Sequence, residues 1–212
     1  MERILEELKI LGILKRKEVE EALKKIPRAE FLPEEIRKYA NIDTPLPIGY
    51  DQTTSAIHMV CMLCEETELK KGERVLEIGA GSGYMASIYH EITGEEVVTI
   101  EIIPELAKFA KRNLRKLSLD SMIDVINADA TFSLPFRSKF DVIIVTACSK
   151  DIPKEYVEIL DENGRLIIPV GAYQFSQDLI LVKKTKEKIE KNKISEVAFV
   201  PLRGIGLVFK KT

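Results

Sequence analysis

The sequence contains no tryptophan, only three cysteines and two histidines, and almost no net charge. A formal charge of -2 gives no electrostatic reason to expect a polyanion, so nucleic acid is not a predicted partner. The three cysteines cannot form a disulfide framework, which is typical of proteins in a reducing compartment. Cys61 and Cys64 form a C-x-x-C pair, but no second pair or histidine cluster accompanies it. Because a metal site normally needs four convergent ligands, we predict core packing for this pair and no metal site.

The sequence also lacks a long hydrophobic run. Its longest nearly apolar stretch, Ala56 to Cys64, is far shorter than the roughly 20 residues that a membrane-spanning helix requires. The first residues, Met1 to Glu7, are amphipathic and acidic, unlike a secretory signal peptide. These features predict a cytoplasmic protein with no membrane partner.

What is present is the composition of a globular protein, with 45% apolar and 31% charged residues. A length of 212 residues suits one domain better than two. Apolar residues at helical spacing predict short helices over 2–11 and 16–25, which open a helical extension. We predict that this extension occupies residues 1–70 and that an α/β core follows over residues 71–212.

A glycine-rich turn is the feature around which the predicted core is organised. An apolar strand over 74–78 runs into Gly79-Ala80-Gly81-Ser82-Gly83, and a helical pattern continues to residue 92. Glycines at alternate positions let the chain turn sharply and let a ligand reach the main chain, because no Cβ stands in the way. The pattern is typical of α/β proteins that present backbone to a nucleotide-like ligand.

Two acidic residues follow the next two predicted strands. Glu101 ends the strand over 97–100, and Asp129 follows the strand over 122–126. Because parallel strands end at the same edge of a sheet, both acids are expected beside the glycine turn, where a carboxylate can accept hydrogen bonds from ribose hydroxyls. The sequence therefore predicts an adenosyl compound bound along this edge.

The glycine spacing narrows the class of ligand. The turn reads G-x-G-x-G with Glu77 inside the preceding strand, whereas dinucleotide sites read G-x-G-x-x-G. No Gly-Lys-Ser/Thr sequence follows it, so a P-loop for nucleoside triphosphates is excluded.

The remaining pattern predicts a doubly wound α/β fold with a mainly parallel sheet. Strands over 140–145 and 165–171 are separated by a helix over 153–160 and a turn at Asn163-Gly164. The stretches 178–184 and 188–201 alternate like paired strands.

Upstream of the core, residues 43–55 contain two prolines, a glycine and a run of hydroxyl side chains. This composition predicts a loop rather than a regular element, and a polar loop of this length is often functional. Ser55 is predicted to be the N-cap of a helix over 56–66.

With these residues in place, the sequence resembles the class I S-adenosylmethionine (SAM) methyltransferases, which have a Rossmann-like fold. Their first motif is similar to Val75–Gly83, their ribose-binding acid corresponds to Glu101, and their adenine-side acid corresponds to Asp129. The resemblance implies SAM as the cofactor. The cofactor-binding residues that it implies are Glu77, Gly79, Ala80, Gly81, Ser82, Gly83, Glu101, Ile102, Asp129 and Ala130.

The resemblance narrows to the protein-L-isoaspartate O-methyltransferases. The stretches that carry it run in order through essentially the whole chain: Pro27-Arg28-x-Glu30-Phe31-Leu32-Pro33, Asp43-x-Pro45-Leu46-x-Ile48-Gly49, Gln52-Thr53-x-Ser55-Ala56, His58-Met59, Phe140-Asp141-x-Ile143, Thr146-Ala147, Ile152-Pro153, Gly164-Arg165-Leu166-x-Ile168-Pro169-Val170-Gly171 and Phe199-Val200-Pro201-Leu202. The implied reaction is methyl transfer from SAM to the α-carboxylate of an isoaspartyl residue, which starts its conversion to aspartate. The implied partners are peptides or unfolded segments that contain isoaspartate, and we expect a monomer.

This reaction needs positioning more than acid–base machinery, because a carboxylate with a pKa of about 3 to 4 is already ionised at pH 7. The resemblance implies that Ser55 is the catalytic residue, which hydrogen-bonds the acceptor carboxylate near the reactive methyl. The substrate-binding residues that it implies are Gln52, Thr53, Thr54, Ser55, Ile57 and His58.

The sequence departs from the family pattern at several positions. Asp51 stands where glycine is usual, Ile57 where proline is usual, and Ala128 and Ala130 flank Asp129 in place of glycines. If Asp51 faced the acceptor, repulsion at about 6 Å and an effective dielectric constant of about 20 would reach about 3 kcal/mol.

These departures leave two alternatives beside isoaspartyl repair. One is a methyltransferase of the same fold that acts on another acceptor, such as an RNA base or a small molecule. The other is a homologue without repair activity that serves as an interaction module.

Overall fold

The computed structural model describes residues 1–132, 134, 136–172 and 175–205, so the end of the predicted core, 206–212, lies outside the described residues. Its centre is a seven-stranded sheet in the order β5-β4-β3-β6-β7-β8-β9. The first five strands in this order are parallel, and β8 and β9 are antiparallel to their neighbours. The predicted doubly wound, mainly parallel α/β fold is therefore confirmed.

The strands are β1 (Leu46–Gly49), β2 (Gln52–Thr54), β3 (Val75–Ile78), β4 (Val97–Glu101), β5 (Ile123–Asn127), β6 (Phe140–Val145), β7 (Leu160–Val170), β8 (Gln177–Lys184) and β9 (Ile189–Val197). The helices are α1 (Glu2–Ile10), α2 (Lys17–Lys25), α3 (Ile57–Glu66), α4 (Tyr84–Thr93), α5 (Pro104–Lys116) and α6 (Lys154–Glu158), with short 3-10 helices at Arg28–Phe31 and Glu34–Tyr39. None of the helices in the described part of the chain is long and apolar enough to cross a bilayer.

The sheet is buried on both faces because its central strands carry nearly continuous apolar runs. Alternate residues of β3 and β6 point to opposite faces, so Val75 and Val142 pack in one core cluster while Leu76 and Ile143 pack in another. The first cluster also contains buried residues of α1, α2 and α3. The helical N-terminal extension therefore packs on the same apolar layer as α4 and α5.

Residues 43–55 contain a β-hairpin, so the prediction of a loop without regular structure was wrong. Strands β1 and β2 pair antiparallel around Tyr50 and Asp51, which both have positive φ, 56° and 58°. Two positive φ values are the geometry of a type I′ turn. This turn normally takes glycine, asparagine or aspartate, so tyrosine at its first position hid the hairpin in the sequence.

The predicted N-cap role of Ser55 was also wrong. Helix α3 begins at Ile57 with Ala56 at its N-cap and no side-chain cap there. The Asp43 carboxylate instead accepts the N–H of His58 at 2.9 Å. An acid from a preceding segment thus satisfies a free donor of the first helical turn.

The predicted turn at Asn163-Gly164 lies inside strand β7. Phe140 and Val142 of β6 pair with Leu160 and Arg165 of β7, so residues 161–164 form a bulge in the ladder. Asn163 has a φ of 64°, the left-handed conformation that asparagine tolerates. The turn signal was real, but it marked a bulge and not the end of a strand.

Candidate active site

A cleft runs along the carboxyl edge of the parallel strands, and it has two compartments. The large compartment has a volume of about 890 Å³ and the small one about 70 Å³. Both are lined by Thr53, Gly79, Gly81, Thr146 and Val200. Because they share these walls, the compartments are parts of one continuous cleft.

The glycine turn forms the floor between the two compartments. Gly79 has a φ of 105°, and a Cβ added there would lie 2.3 Å from the Thr146 hydroxyl. That hydroxyl donates to the carbonyls of Ile78 and Gly79 at 3.0 and 2.9 Å. A side chain at Gly79 would therefore break the contact that holds the end of β3.

Glu101 is buried beside this turn, and both of its carboxylate oxygens accept backbone N–H groups. Oε2 accepts from Gly81 and Oε1 from Ile103, each at 2.9 Å. Glu101 and Ile102 line the small compartment. Since a carboxylate can accept about four hydrogen bonds, Glu101 keeps capacity for a ligand while it orders the turn.

Glu77 lies in strand β3 with its side chain fully buried at the large compartment. Its Oε2 accepts the Thr99 hydroxyl, whereas its Oε1 has no hydrogen-bond partner among the residues that the structure describes. Burial raises the pKa of Glu77 to about 8; the Thr99 bond opposes this shift and the nearby Glu101 charge adds to it. A buried carboxylate oxygen without a hydrogen-bond donor, in a residue that lines a cavity, is suited to a cationic ligand.

The segment from the hairpin into α3 forms the opposite wall. Thr53, Thr54, Ser55 and His58 line the large compartment, and Gln52 lines the small one. The Ser55 hydroxyl makes no hydrogen bond to any residue that the structure describes.

The Asp43 carboxylate holds His58 in place. It accepts from the backbone N–H of His58 and lies 2.9 and 3.0 Å from the His58 ring Nδ1. Because Asp43 pairs with Nδ1, Nε2 is the His58 ring nitrogen that does not contact Asp43.

Three predicted site residues do not line either compartment. Ile57 is fully buried in the core, and Gly83 packs against α5. Asp129 accepts from the Thr131 N–H and hydroxyl and from the Ile205 N–H. Burial raises the pKa of Asp129, but these hydrogen bonds outweigh it and lower the pKa overall.

The alanines that replace the usual glycines impose no backbone strain. Neither Ala128 nor Ala130 has a positive φ, and both line the small compartment. The predicted binding residue Ala130 is therefore at the cleft, whereas Asp129 is not among the residues that line it.

Asp51 lies at the tip of the hairpin turn with an exposed side chain, and it lines neither compartment. The repulsion between Asp51 and an acceptor carboxylate has no support in this geometry.

The far wall of the large compartment comes from β8 and β9, which the sequence reasoning did not place there. Gln177 and Phe199 are buried and exchange two hydrogen bonds, from the Gln177 amide to the Phe199 carbonyl and from the Phe199 N–H back to Gln177. Phe175 is exposed at the rim, and Glu196 binds Ser176 and Lys193. Gln177 and Phe199 are 22 residues apart, so no local pattern in the sequence indicated this wall.

No cluster of three or more histidine, cysteine or acidic side chains suited to a metal ion occurs among the described residues. The cysteines at 61, 64 and 148 are free and buried.

Comparison with known proteins gives matches over nearly the whole chain. The model of the Protein-L-isoaspartate(D-aspartate) O-methyltransferase (PCMT) family matches residues 1–205. A protein-L-isoaspartate O-methyltransferase of Methanococcus aeolicus is 47% identical over 206 residues, covering 96% of this chain and 94% of the relative. One from Korarchaeum cryptofilum is 45% identical over 212 residues, covering 95% and 96%.

A solved structure shares the fold. It comes from Plasmodium falciparum, is assigned as a protein-L-isoaspartate O-methyltransferase and is in complex with S-adenosyl-L-homocysteine. Its TM-score is 0.82 at 28% identity, and the match covers 95% of this chain and 97% of that one.

Proposed function

Because this chain belongs to the protein-L-isoaspartate(D-aspartate) O-methyltransferase family, we propose that cofactor and acceptor meet in its cleft, between the glycine turn and the segment that runs from the hairpin into α3. The protein is a SAM-dependent methyltransferase that methylates the α-carboxylate of L-isoaspartyl residues. The residues that perform this reaction are inferred from the geometry of the cleft.

The cofactor side is proposed to be the glycine turn with Glu77, Glu101 and Ile102. These residues fit SAM, because the orphaned Glu77 oxygen matches a cationic ammonium group and Glu101 offers spare lone pairs to ribose hydroxyls. The positive φ values of Gly79 and Gly81, 105° and 52°, bring bare backbone to the cleft. When bound, SAM supplies an electrophilic methyl group on a sulfonium.

The acceptor side is proposed to be the Thr53–Ser55 segment with His58. Ser55 offers a free hydroxyl donor on the same compartment as Gly79 and Glu77. A hydroxyl donor can hold one oxygen of an ionised carboxylate and direct the other at the methyl group. Orientation of this kind lowers the barrier by up to several kcal/mol without any general base.

One observation carries this proposal: Ser55 and the glycine turn line a single compartment. SAM bound at the glycine turn and an acceptor bound at Ser55 would therefore lie next to each other in this compartment. The match to one family over nearly the whole chain favours isoaspartyl residues over RNA bases or small molecules as acceptors.

The test uses SAM with a labelled methyl group and two peptides of one sequence, one with isoaspartate and one with aspartate. We expect a base-labile methyl ester on the isoaspartyl peptide alone. Changing Ser55→Ala should lower kcat/KM for the peptide by about 10- to 100-fold, since one oriented donor is lost, with little change in S-adenosylhomocysteine affinity.

The control is Ser121→Ala, an exposed serine before β5 at the opposite edge of the sheet. It should leave both quantities unchanged. Equal labelling of the two peptides would reject isoaspartyl specificity, and full activity of Ser55→Ala would reject the role of this hydroxyl.

A further inference from the structure

Arg28 is a buried arginine whose guanidinium binds only main-chain carbonyls among the residues that the structure describes. Its side chain belongs to the 3-10 helix Arg28–Phe31, and the residue is 1% exposed. Nη1 donates to Ala40 and Ile42 at 3.2 and 3.0 Å. Nη2 donates to Thr44 at 2.9 Å and to Ser55 at 2.7 Å.

These carbonyls place the guanidinium at the base of the β1–β2 hairpin. Thr44 lies just before β1, and Ser55 directly follows β2. Nη2 therefore joins the strand that enters the hairpin to the strand that leaves it. Because the guanidinium is planar with donors in a fixed fork, it sets the relative position of the two chain segments.

The same short helix is fixed against the cofactor side. The ring of Phe31 packs against the ring of Tyr84 with centroids 5.4 Å apart. Tyr84 is the first residue of α4, directly after the glycine turn, and it lines the large compartment. A continuous path of contacts thus leads from the glycine turn through Tyr84 and Phe31 to Arg28 and Ser55.

The buried Arg28 charge is held by carbonyl dipoles and by the electrostatic attraction of Asp43. Within the described part of the chain, Arg28 forms no ion pair and its Nε has no hydrogen-bond partner. Burying a guanidinium is costly, and an apolar side chain in its place would leave these four carbonyls without the donor that now binds them. The arginine also fixes the positions of these four carbonyls relative to one another.

We propose that Arg28 is a positioning residue for methyl transfer: it fixes the Ser55 segment against the glycine turn, so that the acceptor carboxylate meets the methyl group in line. This inference rests on the proposed role of Ser55. Arg28 does not itself touch the acceptor, because its four contacts all lie behind the cleft wall.

The test compares Arg28→Lys with the wild-type protein, using the isoaspartyl peptide and SAM well below the melting temperature. Lysine keeps the charge but loses the fork, so some carbonyl bonds are lost while the fold is retained. We expect kcat/KM for the peptide to fall by about tenfold or more, because small misplacements of reacting groups are costly. S-adenosylhomocysteine affinity should stay within about twofold, since the glycine turn and Glu101 are untouched.

Arg165→Lys is the matched control. Arg165 also binds main-chain carbonyls, those of Thr67 and Glu68, but it lies on β7 away from the cleft and pairs with Glu73. If both variants lose activity only in proportion to their loss of melting temperature, Arg28 is merely structural and the inference is wrong.

A double-mutant cycle tests whether Arg28 acts through Ser55. In a Ser55→Ala background, Arg28→Lys should cause little further loss of activity, because both changes remove one function. A fully multiplicative loss, or unchanged kinetics of Arg28→Lys alone, would overturn the inference.

Hydrogen exchange separates this inference from the proposed function, because it needs no substrate. Arg28→Lys should speed exchange at amides of residues 46–58 and leave those of residues 79–83 unchanged. A wild-type protein that labels neither peptide would reject the proposed function, whereas unchanged exchange at 46–58 would reject the role of Arg28.

Discussion

The Glu77 side chain shows how a single buried carboxyl group can couple cofactor binding to pH. It is fully buried with one orphaned oxygen at the large compartment, and burial raises its pKa to about 8. Near neutral pH the group is therefore mostly protonated in the free protein. A cationic ligand beside it would favour the ionised form and release the proton.

The first prediction at this scale is that affinity for S-adenosylhomocysteine increases from pH 6 to pH 8 and levels off above the pKa of Glu77. The ligand keeps the ammonium group that Glu77 is proposed to face. Calorimetry in buffers of different ionisation enthalpy should show proton release on binding. Glu77→Gln should flatten the pH dependence, and an unchanged slope in that variant would contradict the assignment.

The Glu77 carboxyl group also makes the free energy of unfolding of the free protein depend on pH. Its folded pKa of about 8 exceeds the ordinary value of 4.5, so the folded state binds more protons than the unfolded state between these values. Its contribution to the free energy of unfolding therefore falls as pH rises through this window.

At the scale of elements, the β1–β2 hairpin leads into the proposed acceptor wall, and the sequence did not reveal it. Its turn residues, Tyr50 and Asp51, take left-handed conformations without a glycine. Asp51 tolerates this backbone and points to solvent, which explains how it replaces the usual glycine.

We predict that Asp51→Gly leaves the KM for an isoaspartyl peptide within about twofold of the wild-type value, because the exposed Asp51 carboxylate does not repel the acceptor carboxylate. Glycine accepts the φ of 58° without strain, so the melting temperature should stay equal or rise slightly. Steady-state kinetics and thermal unfolding check this, with Tyr50→Gly as the control in the same turn. A fall in KM of about a hundredfold would show that the charge acts on the acceptor after all.

Two of the parallel strands, β3 and β4, could be predicted because each is a short apolar run closed by a glycine turn or an acid. Val75–Ile78 and Val97–Glu101 were recognised in this way, and their positions fixed Glu101 beside Gly81. The 3-10 helices were not predicted, since they are too short for a helical period. The bulge in β7 was missed because a turn signal has the same residues as a bulge.

At the scale of the whole molecule, the cleft joins segments that are distant in the sequence. The proposed acceptor wall comes from residues 53–58, the floor from the glycine turn, and the far wall from β8, β9 and the residues beside them. Contacts between distant residues, such as those from Arg28 to Thr44 and Ser55 and those between Gln177 and Phe199, leave no local pattern in the sequence. Family resemblance named Ser55 and Glu77, but only the folded chain shows what holds them.

A ligand in this cleft should stabilise the whole fold by mass action. At 100 times its Kd, S-adenosylhomocysteine should add about 2.7 kcal/mol and raise the melting temperature by about 5 to 10 °C for a domain of this size. Glu101→Ala should lose most of this shift at the same concentration, because the turn loses its carboxylate. Thermal unfolding by calorimetry provides the measurement, and an equal shift in both proteins would show that Glu101 does not serve the cofactor.

The burial of all three thiols has a practical consequence for spectroscopy. Burial raises the pKa of Cys61, Cys64 and Cys148, so little reactive thiolate forms at neutral pH. A single cysteine introduced at the exposed hairpin tip, for example Asp51→Cys, would therefore react selectively with a maleimide dye in the native protein. Such a label would report the arrival of a peptide at the acceptor wall without removal of any native cysteine.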